Sequence, residues 1–75
     1  MTWLPLDSKM FLSAAYDASP RVLYLRFRSG DVYRYFQFFQ DDYQHFLAAE
    51  SKGRHFLSHI RNCFPYERLP KLQVA

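Results

Sequence analysis

Residues 21–36 read RVLYLRFRSGDVYRYF. Leu23, Leu25 and Phe27 alternate with Tyr24, Arg26 and Arg28, the period of two that marks a strand with one apolar face. Ser29-Gly30-Asp31 turns the chain, and Val32–Phe36 alternates again. The segment predicts a β-hairpin, with Gly30 where a positive φ is needed. Two registers compete. A two-residue turn over Ser29-Gly30 pairs Arg28 with Asp31 and puts Arg34 beside Leu23, Leu25 and Phe27. A type I turn over Arg28-Ser29, with Gly30 as a bulge, pairs Phe27 with Asp31 and sets Tyr33 and Tyr35 beside Leu25 and Leu23. A one-residue slip exchanges the faces, and burying Arg34 in a small core costs several kcal/mol. The bulged register is therefore expected. It turns Tyr33 and Tyr35 toward the core and Tyr24, Arg26, Arg28, Val32, Arg34 and Phe36 toward the other face. In the simpler turn the tyrosines become the exposed platform.

Upstream, Phe11–Asp17 is expected as a strand, although Ala14 and Ala15 weaken the pattern. Asp17-Ala18-Ser19-Pro20 is a turn signal. Residues 1–7 form a lead-in tethered by Trp3. From about Gln40 the period changes. Asp41 and Asp42 place negative charge where a helix begins, and Tyr43, Phe46, Leu47 and Glu50 recur at helical spacing. Gly53 interrupts, and a second helix over about Lys52–Cys63 carries Phe56, Leu57, Ile60 and Phe64 on one stripe. Pro65 and Pro70 end it, and Pro65–Ala75 reads as irregular. The expected fold is α+β in the order β-β-β-α-α: a three-stranded antiparallel meander followed by two helices packed on one face. One domain is expected over 1–75, with its core at about 8–68 and a tail at 69–75.

A chain of 75 residues has room for one core. Eight Phe, six Tyr and one Trp enrich that core, which offsets the small fraction of surface so short a chain buries. The single cysteine, Cys63, excludes an internal disulfide and a multi-cysteine zinc site, and suits a reducing compartment. No apolar run is long enough for a membrane-spanning helix. Pro5, Asp7 and Lys9 interrupt the start where a secretory signal would lie. The expected location is cytoplasmic, with no membrane partner. The net charge of +3 is compatible with a polyanion.

The run Leu23-x-Leu25-x-Phe27-x-x-Gly30-x-x-Tyr33-x-Tyr35 resembles the core of the KTSC domain, which also occurs at the C-terminus of some lysyl-tRNA synthetases. The likeness continues through Tyr43, Ala49-x-Ser51-x-Gly53, Phe56 and Ile60-Arg61, and upstream through Ser8 and Tyr16-Asp17. It covers roughly Ser8–Arg68. Ala15 stands where the family usually has Gly, and Phe38-Phe39 where Val-Pro usually opens the first helix. The resemblance implies a domain for which RNA binding has been suggested, and it brings no catalytic residues or cofactor.

Three groups of residues stand out as candidate sites. The face bearing Tyr24, Arg26, Arg28, Arg34 and Phe36 combines rings that stack on bases with guanidinium groups that meet phosphates. A solvated sheet face whose arginines deter aggregation has the same composition. Ser51-Lys52-Gly53-Arg54 opens the second helix with free N–H groups and two cations, suited either to a phosphate or to an ordinary capped turn. His55-x-x-x-His59-x-x-x-Cys63 spans about 12 Å of helix, too far for one ion to take all three, so no metal is expected. Paired catalytic carboxylates, a Gly-rich phosphate loop and a serine triad are absent, and an enzyme is not expected. The leading expectation is a small non-catalytic module binding RNA or single-stranded DNA through Tyr24, Arg26, Arg28, Arg34, Phe36, Lys52 and Arg54. The rival is a protein-interaction domain that docks a partner strand on an open sheet edge, with Trp3, Leu4, Phe38 and Phe39 as a second apolar patch.

Overall fold

The computed structural model describes residues 1–70. Its hairpin has the bulged register: Leu23 pairs with Tyr35 and Leu25 with Tyr33. Gly30 takes φ +97°. Its N–H donates to the Phe27 carbonyl at 2.9 Å, and the Phe27 N–H donates to the Asp31 carbonyl at 2.8 Å. These two bonds close a type I turn with a glycine bulge.

The meander is longer than the sequence implied. Strands β1 (Leu4–Pro5), β2 (Phe11–Asp17), β3 (Val22–Phe27), β4 (Val32–Tyr35) and β5 (Tyr66–Leu69) form one antiparallel sheet in chain order. The lead-in thus supplies a two-residue strand paired to β2. The stretch expected to be irregular after Pro65 pairs with β4, placing Tyr66 opposite Tyr35 and Glu67 opposite Arg34. Residues 71–75 of the expected tail lie outside the described residues. Within β2, Phe11 faces Phe27 and Ser13 faces Arg26, so Leu12 is an extra residue in a bulge. The bulge explains the weak alternation: it restores Phe11 and Ala14 to one face.

Helix α1 (Gln40–Ala48) starts where the acidic pair foretold. It has no proline, and the Asp42 carboxylate accepts from the Phe39 N–H at 3.0 Å. That satisfies one otherwise orphaned donor at the positive end of the helix. The second helix differs from expectation. Helix α2 (Lys52–His55), capped by Ser51 accepting from the Arg54 N–H at 3.2 Å, runs directly into a π-helical turn at Phe56–Ile60. The Arg61 N–H bonds to the Phe56 carbonyl five residues back at 2.8 Å, and the helix ends there instead of at Cys63.

Phe11 is the hub of the core. Its ring meets Phe27 at 4.9 Å, Phe56 at 5.4 Å and Phe46 at 5.8 Å, joining the sheet to both helical segments. Such pairs contribute roughly 0.5–1.5 kcal/mol each beyond area burial. Leu23, Leu25, Phe38, Phe46 and Ile60 are fully buried around it. Phe38 therefore does not belong to an exposed apolar patch. Leu57, placed by α-helical spacing on the buried stripe, is 49% exposed, and Cys63 is exposed as well. The extra residue in the π turn rotates later positions away from an α-helical wheel.

Candidate nucleic-acid interface

The register decides which residues share the sheet face opposite the helices. In β3 and β4 these are Tyr24, Arg26, Val32 and Arg34, cross-paired as Tyr24–Arg34 and Arg26–Val32. The lead-in lays Trp3 over them. Its ring meets Tyr24 edge-on at 6.3 Å, and the Arg26 guanidinium sits 4.5 Å from its centre. Arg34 lies 5.3 Å from the Phe36 ring. The face is thus an alternating array of rings and guanidinium groups, half-buried by one another. Trp3 is a member that residue spacing did not reveal, because nothing in the lead-in indicated that it pairs with β2.

Not every guanidinium on this face is available. Arg34 forms an ion pair with Glu67 of β5, its Nε donating to the carboxylate at 2.8 Å. Hydrogen bonds to Glu67 and then to Tyr24 raise the Arg34 pKa further above its already high ordinary value. Arg28 stands at the hairpin turn, with its Nε donating to the Ser8 carbonyl at 2.7 Å. Lys52 and Arg54 do not join this surface. They belong to α2, which precedes the Phe56 ring on the helical side, and Lys52 Nζ is bound to the Ala49 carbonyl at 2.7 Å.

The other side of the sheet holds a cleft that the spacing of residues did not predict. It encloses about 440 Å³ between the π turn and the β4–β5 edge. Tyr33, Tyr35 and Tyr66 line one wall, and Leu57, Arg61 and Asn62 the other. Tyr33 and Tyr35 rings lie at 21° to each other with centres 6.4 Å apart, and Tyr66 is within 6 Å of both. Tyr35 is 4% exposed, and burial pushes its phenol well above the ordinary range. The two tyrosines do serve the core, as expected. They also present the wall of a cleft once β5 adds Tyr66.

A third cluster lies between α1 and the π turn. The His55 and His59 rings stack at 4.6 Å, with His45 and Asp42 on the same depression. Among the described residues no group of His, Cys, Asp or Glu is arranged to hold a metal ion. No described helix is long and apolar enough to cross a membrane.

The sheet edges bear on strand docking. β1 is two residues long and contains Pro5. β5 is flanked by Pro65 and Pro70, and carries Glu67 and Arg68. Short strands, prolines and charges are the devices that blunt an edge.

The sequence matches the KTSC domain family over residues 7–64. It is 38% identical over 50 residues to a protein of Tsukamurella paurometabola, covering 67% of this chain and 75% of that one. The fold is similar to the crystal structure of a KTSC domain protein from Yersinia pestis. The TM-score is 0.88 at 32% identity, covering 92% of this chain and 97% of that chain.

Proposed function

This chain belongs to the KTSC domain family, and on that premise we propose that it is a small non-catalytic module binding single-stranded RNA or DNA through its open sheet face. The observation that most supports this is the array of Trp3, Tyr24 and Phe36 rings interleaved with Arg26 and Arg34. Bases present π-faces of any sequence to such rings, while guanidinium groups meet the phosphates between them. Tyr24, Trp3 and Phe36 are assigned to stacking. Arg26, Arg28 and Arg34 are assigned to phosphate contact, with Arg34 exchanging Glu67 for a phosphate. Lys52 and Arg54, on the helical side, are left out of this interface. Strand addition by a protein partner gains less support, because both outer strands carry edge-blunting features.

Trp3 is the only tryptophan, so its fluorescence reports on this face directly. Titration with mixed-sequence single-stranded RNA or DNA is expected to quench it. Affinity should fall by at least about tenfold between roughly 50 and 200 mM salt. In filter binding, Arg26→Ala/Arg34→Ala should weaken association and reduce the salt slope by about 1.4. Absence of any affinity at low salt for either nucleic acid overturns the reading.

A further inference from the structure

We infer that the tyrosine-walled cleft is a nucleotide pocket, taking a planar base against Tyr33, Tyr35 and Tyr66 and its phosphate on Arg61. The open-face reading makes no use of this cleft, which lies on the opposite side of the sheet. At about 440 Å³ it falls in the range of small-molecule sites, with aromatic walls and a few polar groups at the rim. Its apolar surface is left toward solvent: Tyr66 is 58% exposed and Leu57 49%.

Charge selects the occupant. Asp31, the acid on the rim, is matched by Arg68 at 3.0 Å and by the Ser29 hydroxyl at 3.1 Å. Arg61 has no carboxylate partner among the described residues, although it lies close enough to Tyr35 for its charge to act on that phenol. An aromatic cleft whose uncompensated charge is a guanidinium favours an anion over an ammonium ion. Asn62, next to Arg61 and held at φ +67°, adds an amide with both a donor and an acceptor, as recognition of a base edge requires. The π turn makes this arrangement. Its wide closure, Arg61 N–H to Phe56 carbonyl at 2.8 Å, ends the helix so that Leu57, Arg61 and Asn62 all line the cleft.

The same chemistry is offered by a free nucleotide and by the terminal nucleotide of a strand. Two-dimensional amide NMR separates them, using the four nucleoside monophosphates, the matching nucleosides, and short oligonucleotides with and without a terminal phosphate. Monophosphates are expected to shift Tyr33, Leu57, Arg61, Asn62 and Tyr66, and to bind at least about tenfold more tightly than nucleosides. Arg61→Gln should abolish that advantage while leaving nucleoside affinity unchanged. Tyr66→Ser should weaken both. Both residues are exposed, so the remaining spectrum checks that the fold is intact. Tighter binding of phosphate-ended oligonucleotides identifies a strand end, and equal or weaker binding identifies the free nucleotide. Arg26→Ala/Arg34→Ala should not alter cleft binding, so failure of the open face and failure of the cleft are distinguishable. The inference is overturned if millimolar monophosphate and oligonucleotide leave the cleft residues unshifted. It is also overturned if Arg61→Gln does not change the preference, or if tetramethylammonium shifts the same residues more strongly.

Discussion

Gly30 holds the register on which both candidate surfaces depend. Its φ of +97° lies where L side chains are disfavoured, yet a Cβ built there meets nothing within 4 Å. The cost of Gly30→Ala is therefore conformational, about 1–2 kcal/mol, with no clash added. Gly30→Asn should recover part of it, since Asn tolerates left-handed backbone. Urea denaturation checks this, and equal midpoints for wild type and Gly30→Ala would contradict it. Gly30 was legible in the sequence because the competing register had to bury Arg34, a penalty large enough to decide between them. Tyr16 shows the opposite case. Its hydroxyl donates to the Phe38 carbonyl at 2.6 Å, across 22 positions of sequence, and its ring stacks on Tyr43 at 4.9 Å. Nothing local in the sequence indicates such a long-range bond.

Elements were legible where periodicity and charge agreed. β3, β4 and the start of α1 are of this kind, each announced by alternation or by Asp41 and Asp42. β5 was hidden because Pro65 and Pro70 read as terminators, whereas prolines flanking a strand are also the mark of a sheet edge. The π turn was hidden because its apolar positions satisfy α-helical spacing. Both omissions matter for function. β5 brings Glu67 against Arg34 and Tyr66 into the cleft, and the π turn brings Arg61 there. The Arg34–Glu67 pair is partly exposed, with side chains 34% and 49% accessible, so solvent screening leaves it little stabilising effect. Glu67→Gln should then leave thermal stability nearly unchanged. It should raise affinity for single-stranded nucleic acid severalfold, because Arg34 no longer gives up a carboxylate to meet a phosphate. Unchanged or weaker binding would show that Arg34 does not contact the ligand.

At the scale of the whole molecule, a small positive net charge is distributed over two faces of one sheet, and the histidines lie apart from both. The total of +3 was readable from composition, but its placement was not, since Arg34, Arg68 and Lys52 are each engaged by partners distant or unannounced in sequence. The cluster between α1 and the π turn gives the molecule a pH dependence of stability. Burial lowers the His55 pKa from its ordinary 6.5, and the neighbouring His59, His45 and Lys52 lower it further. Among the described residues, Asp42 is the acidic group that lines the same depression. A lowered pKa in the folded state means that the unfolded chain takes up the proton more readily. The stabilisation is therefore fully present above about pH 6.5 and is lost as pH falls through the folded-state value. Denaturation midpoints should be flat from about pH 8 to 7 and decline below about 6.5. His55→Gln should shrink that decline, because the half-buried imidazole crowded by His59, His45 and Lys52 is gone. If the variant and the wild type lose stability in parallel over this window, His55 is not the group that titrates.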